Sequence, residues 1–151
     1  MGLTDALRAA REDILREATG SLERVHLPHY VVSGSEASRE RLTALFDLVV
    51  QCLAKRTLSP IIQYTELVAK QRFEAGFDIA EVQTAFNVLE EAIWHVVIVQ
   101  VPAHDLLESA GLIGTVIGAG KDALARTWVA LATKTHVSSL DLTALFEGLA
   151  N

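Results

Sequence analysis

The chain has 151 residues, which fits one domain, and at this size roughly two thirds of the surface of the extended chain can be buried. Half of the residues are hydrophobic, 21% are charged and mean hydropathy is +0.30, so either the core is large or an exposed apolar face is covered by a partner. A net charge of −6 and the lack of a basic patch with interleaved aromatics exclude nucleic acid as the target.

In chain order, Thr4 or Asp5 can cap a first helix reaching about Thr19, with Leu7, Ala10, Ile14 and Ala18 as its apolar stripe and Gly20 as its stop. Arg8, Glu12 and Arg16 lie on its outer face at i,i+4 spacing, where each pair contributes only about 0.2–0.5 kcal/mol. That pattern reads as a solvated face. From Ser21 to Ser35 the period is lost among Pro28, Gly34 and several Ser and His residues, which reads as a connector with at most one short helical turn. Ser35 is then a cap for a helix in which Leu42, Leu45, Phe46, Val49, Cys52 and Leu53 match the i, i+3, i+4, i+7 template. Lys55, Arg56 and Thr57 close it. Ser59 and Pro60 open the next, Pro being tolerated where its missing N–H would be unpaired anyway. Ile61, Tyr64, Leu67 and Val68 should face inward, and Phe73 should end that helix before Gly76.

The strongest element runs from Phe77 to Val101. Asp78 and Glu81 form a capping box, Phe77 and Val82 can staple across it, and Gly76 suits a positive φ closing the preceding helix. Val82, Phe86, Leu89, Ile93, Val96, Val97 and Gln100 follow at helical spacing until Pro102 stops the run. From Ala92 onward the helix is apolar nearly all round, so burial on more than one side is expected, in its own domain or against a second subunit. The turn at 76–78 is so short that the two helices it joins must be neighbours, an αα-hairpin that is antiparallel or steeply crossed. Past Pro102 a helix starting near His104 or Asp105 keeps phase through Leu106, Ala110, Ile113, Ile117, Leu124, Trp128 and Leu131. Gly111, Gly114, Gly118 and Gly120 interrupt it, each costing roughly 1 kcal/mol against Ala unless something offsets it. Either Gly114 and Gly118 admit another helix at close range, or 118–120 divides the segment; one long helix, kinked or tightly packed, is the preferred reading. Ser138 or Asp141 can cap a last short helix carrying Leu142, Leu145, Phe146 and Leu149. No alternating pattern supports a sheet, so the expected fold is all-α, a single domain over 1–151, built as a helical bundle or a globin-like arrangement of five to six helices.

Chemistry is sparse. Gly118, Gly120 and Lys121 mimic the end of a phosphate loop, but Thr115 stands where glycine is required and Asp122 where a magnesium-binding hydroxyl belongs. His26 and His29 have chelating spacing without further ligands, and read as a structural or exposed pair. Glu90 and Glu91 are adjacent and point about 100° apart on a helix, so they do not cooperate as acid and base. Cys52 reads as a small buried hydrophobe, and a lone cysteine fits a reducing cytoplasm. The apolar runs 92–101 and 110–119 fall short of the roughly 20 residues a membrane span needs. His95, opposite the apolar stripe, and its neighbour Trp94 are the candidates for a cofactor pocket, since helical proteins hold haem by such a histidine; an ordinary packed or interfacial histidine and a core tryptophan are the competing readings. No metal, resident cofactor or catalytic residue is expected. Candidates for helix packing or dimer contact are Val97, Val101, Gly114 and Gly118.

The stretch from Val68 through Lys70, Gln71, Arg72, Phe73, Gly76, Phe77, Asp78, Glu81 and Phe86 to Glu91, Ala92, Ile93 and Trp94 resembles the N-terminal sensory domain of bacterial RsbT co-antagonist proteins, the RsbR-type stressosome components, also seen ahead of the output domains of PucR-like regulators. The resemblance lies in a helix, a glycine turn, an acidic cap and an apolar helix ending in an aromatic, clearest over some 35 residues. It implies an all-helical, globin-like, dimeric fold without haem that serves as cytoplasmic signal input, with a regulatory protein as partner. It carries over no catalytic residue and no ligand. No output segment follows, so a stand-alone member or an excised piece is implied. The function expected is therefore a signal-input domain acting by dimerisation and protein contact, with no membrane or nucleic-acid partner; the alternative is a globin-like binder of haem or a small ligand at His95.

Overall fold

The computed structural model describes residues 2–133 together with Thr143, Leu145 and Phe146. Among the described residues there are seven α-helices and no strand: α1 (Leu3–Ala9), α2 (Arg11–Val25), α3 (Pro28–Ser33), α4 (Ser35–Lys55), α5 (Ser59–Glu74), α6 (Ile79–Gln100) and α7 (Leu106–Thr133), with a 3-10 turn over Ala103–Asp105 before α7. The fold is all-α, as expected. The helix count exceeds the expected five to six for two local reasons. The first expected helix is two, broken at Ala10 where ψ reaches 9°, and the second continues through Gly20 to end at His26, which takes φ 56°. The expected connector then contains α3, opened by Pro28 in the first helical turn, where a missing N–H leaves nothing unpaired. Gly34, at φ 88°, occupies the cap position expected of Ser35, which instead begins α4.

The central element forms as expected. Asp78 accepts from the Ala80 N–H at 2.9 Å, and Glu81 accepts in return from the Asp78 N–H at 3.1 Å. Ahead of it, Gly76 at φ 84° closes α5: its N–H donates to Phe73 and that of Phe77 to Arg72, so two last-turn carbonyls are satisfied. Phe77 is packed against the core cluster that contains Val82 and also stacks on His29, with ring centres 4.2 Å apart.

One cluster of buried side chains draws on all seven helices and includes Phe146. α6 packs along α2, α7 and α1; α5 lies chiefly along α7 and meets α6 only briefly, which excludes the antiparallel form of the expected junction at Gly76 and leaves the steeply crossed one. Leu89, Ile93 and Val97 of α6 are fully buried, each contributing about 1.5–3 kcal/mol relative to exposure. Leu67, expected inside, is exposed, and Thr65 and Ala69 take the inward positions instead. Cys52 is buried as expected, and burial pushes its thiol up against the backbone N–H of Ile61, which pulls the other way. Of the outer charges on α2, Glu12 pairs with its neighbour Arg11 and with Arg39 of α4, and Arg11 holds Asp47 of α4 by two hydrogen bonds of 2.9 and 3.0 Å; the ties to Arg39 and Asp47 join helices rather than stacking i,i+4. No described helix is long and apolar enough to cross a membrane. Of the expected last helix, Leu145 is exposed and Phe146 buried, while Ser138, Asp141, Leu142 and Leu149 lie outside the described residues.

Candidate functional site

The expected pocket histidine is on the surface. His95 is more than half exposed and its Nδ1 meets both carboxylate oxygens of Glu17 at 2.9 Å, with Glu91 on its own helix at 4.0 Å. The hydrogen bond and charge of Glu17 raise its pKa, helped by Glu91 and only weakly opposed by desolvation. An exposed imidazole tied across α2 and α6 to Glu17 faces solvent rather than a pocket. Trp94 is half-buried against the core. Sequence reading places His95 opposite the stripe correctly but cannot tell solvent from a second apolar layer.

The apolar end of α6 divides the same way. Val97 and Val101 are buried within this chain and serve helix packing rather than a surface between copies, whereas Ile98 and Val99 face outward, Val99 at 78% exposure. α7 is one unbroken helix, and its glycines separate by role. Gly120 admits a neighbour: a Cβ there would lie 2.6 Å from Cε1 of Phe86 and 3.3 Å from Cδ1 of Ile61. Gly114 and Gly118 have nothing of this chain within 4 Å of that position. With Leu107 (85% exposed), Ala125 and Val129 they lie on the outer face of α7, at successive separations of seven, four, seven and four residues. Helical spacing of this kind makes one continuous stripe, nearly free of bulky side chains in its middle.

A second feature has no sequence signal at all, because its parts are far apart in the chain. Where α3, α4, α5 and α6 converge, Tyr30, Arg41, Leu45, Tyr64, Thr65, Val68, Arg72, Val82, Ala85 and Phe86 line a cavity of about 30 Å³. The Arg41 guanidinium lies 5.6 Å from the Tyr30 ring centre and 5.9 Å from that of Phe77, and Arg72 lies 5.4 Å from the latter. Cation–π contact of this kind holds both guanidinium groups at one place. Among the described residues neither has a carboxylate within ion-pair distance; Arg41 reaches only the Ser33 hydroxyl at 3.4 Å, and its Nη1 is buried without a partner. Burial and then the nearby Arg41 lower the Arg72 pKa. Burial raises the phenols of Tyr30 and Tyr64, while both arginines pull them down. Close by, Glu81 is already occupied: burial is the largest influence on it and pushes its pKa up, but the Asp78 N–H, the His29 ring at 2.9 Å and the His29 N–H together bring it below the ordinary value.

The remaining sequence candidates resolve simply. His29 is spent on Glu81, and His26 ends α2; no group of three or more metal-ligating side chains occurs among the described residues. Lys121 binds Glu90 at 2.9 Å, far from any phosphate-cradling loop. Trp128 packs edge-on against Phe73 as a core anchor.

Comparison of the chain with protein-family models, with characterised proteins and with solved structures yields no match.

Proposed function

We propose that the chain is a cytoplasmic signal-input domain that acts through contact with a second copy of itself and with a regulatory protein, in the manner of the RsbR-type sensory domains it resembles. The observation that carries this reading is the outer stripe of α7. Gly114 and Gly118 sit in a helix interior, face open space, and each costs about 1 kcal/mol against Ala, with nothing among the described residues to offset it. Glycine on an outer face lets a second backbone approach closely, and Leu107 and Val129 at either end supply apolar area to cover. A stripe of this form is self-complementary about a two-fold axis crossing it, which suits an isologous dimer. Exposed Ile98 and Val99 of the adjoining α6 add to what a partner would bury.

Sedimentation velocity of the intact chain tests the reading. A dimer at tens of micromolar, converted to monomer by Gly118→Leu or Val129→Glu with the helical circular dichroism unchanged, is the expected result. A native chain that sediments as a monomer throughout that range overturns it.

A further inference from the structure

We propose that the cavity between α3, α4, α5 and α6 is a binding site for a small monocarboxylate, its head group held by Arg41 and Arg72 with the Thr65 hydroxyl as a further donor and its apolar end along Val68, Val82 and Phe86. This assigns the class of signal molecule, and it stands independently of the dimer, since every contributing residue belongs to one chain.

Three observations lead there. Two guanidinium groups are brought to one opening with no acid among the described residues to neutralise them, in a protein whose net charge is −6. Like charges gathered in a half-buried place are unfavourable until an anion joins them, and the buried, unpartnered Nη1 of Arg41 is a donor awaiting an acceptor. The third is Thr65. On other helices Thr43, Thr84, Thr115 and Thr133 each donate to the carbonyl four residues back at 2.6 to 2.8 Å, the usual resting place of a helical threonine hydroxyl. Thr65 is 1% exposed, lines the cavity, and its Oγ1 makes no such bond and no other. Thr19 of α2 is buried without a partner too, but Thr65 lines the cavity that the two arginines share, which is where a missing acceptor would sit.

The chemistry narrows the ligand. The enclosed space is small, about 30 Å³, so a head group enters it and a longer tail lies toward the open side. The lining offers guanidinium forks matched to a planar carboxylate, and its other members are chiefly aliphatic and aromatic, a poor replacement for the water shell of a phosphate dianion. Glu81, the carboxylate whose charge Tyr30 feels, is consumed by His29 and Asp78 and makes no ion pair with either arginine.

Thermal unfolding of the intact chain against acetate, butyrate, hexanoate and benzoate, with 1-hexanol and chloride at matched ionic strength as controls, tests the proposal. Binding of at least one carboxylate is expected to raise the midpoint by roughly 5–10 °C at a hundredfold excess over its dissociation constant. Arg72→Gln and Arg41→Gln should each weaken that ligand at least tenfold in calorimetric titration. Thr65→Val keeps the shape, so it should leave the unliganded midpoint unchanged or higher while weakening the ligand several-fold; this variant remains informative if an arginine variant fails to fold. No response to any of the four carboxylates, an equal response to chloride or hexanol, or a response unaltered by Thr65→Val and the arginine variants alike overturns it. A native chain that sediments as a monomer yet binds a carboxylate would remove the functional reading above and leave this one standing.

Discussion

Two histidine–carboxylate pairs give the chain opposite responses to pH. Glu81 titrates below its ordinary value of 4.5, so its contribution to stability is complete above 4.5 and is lost as pH falls through the depressed value. Replacing it by Gln removes the charge opposite His29 while keeping an acceptor for the Asp78 N–H. Glu81→Gln is therefore expected to lower stability at pH 7 by about 1–2 kcal/mol, with the gap to the native chain shrinking by pH 3 in urea unfolding. His95 titrates above 6.5, so its tie to Glu17 is complete below 6.5 and fades as pH rises through the raised value. Magnetic-resonance titration should place His95 above 6.5, with Glu17→Gln bringing it back toward that value; a native value at or below 6.5 contradicts the contact. Neither pairing is legible in sequence, since Glu81 follows His29 by 52 residues and His95 follows Glu17 by 78. Arg41 and Arg72 are hidden for the same reason: each lies on an ordinary amphipathic helix, and only packing brings them to one opening.

At the scale of elements, the glycines of α7 separate by what stands above them. Gly120→Ala pushes a methyl into the buried Phe86 ring and should destabilise by about 1–2 kcal/mol after the gain in helix propensity. Gly114→Ala and Gly118→Ala meet open space within the chain and should each raise the stability of the isolated subunit by about 0.5–1 kcal/mol, measured by urea unfolding at low protein concentration. The sequence pattern identifies α4, α5, α6 and α7 because their caps, periods and stops agree: Asp78 with Glu81, Gly76, Pro60, Pro102. It misplaces the first third of the chain, where those signals are weak or misleading. Ala10 breaks a helix although alanine is the best helix former, and Gly20 sits within one, its outer side brushed by the Arg24 side chain. His26 and Arg56 adopt the left-handed conformation that pattern reading reserves for glycine, so α2 overruns its expected stop. α3 is too short for any period to register.

For the molecule as a whole, stability rests on the layer where α6 meets α2 and α7. Ile93→Ala, at a position with no exposed surface, should reduce unfolding free energy by about 2–5 kcal/mol in denaturant titration. The same enclosure gives the chain an internal clock. Its sole sulfhydryl, on Cys52, is shielded from solvent and its pKa is raised by burial, so an alkylating reagent such as iodoacetamide reacts only during the moments when α4 parts from the helices packed on it. The ratio of labelling rates in native and denaturing buffer thus reports how often this seam opens. A molecule engaged at the arginine opening, which α4 and α5 share, would slow that label without touching the sulfur.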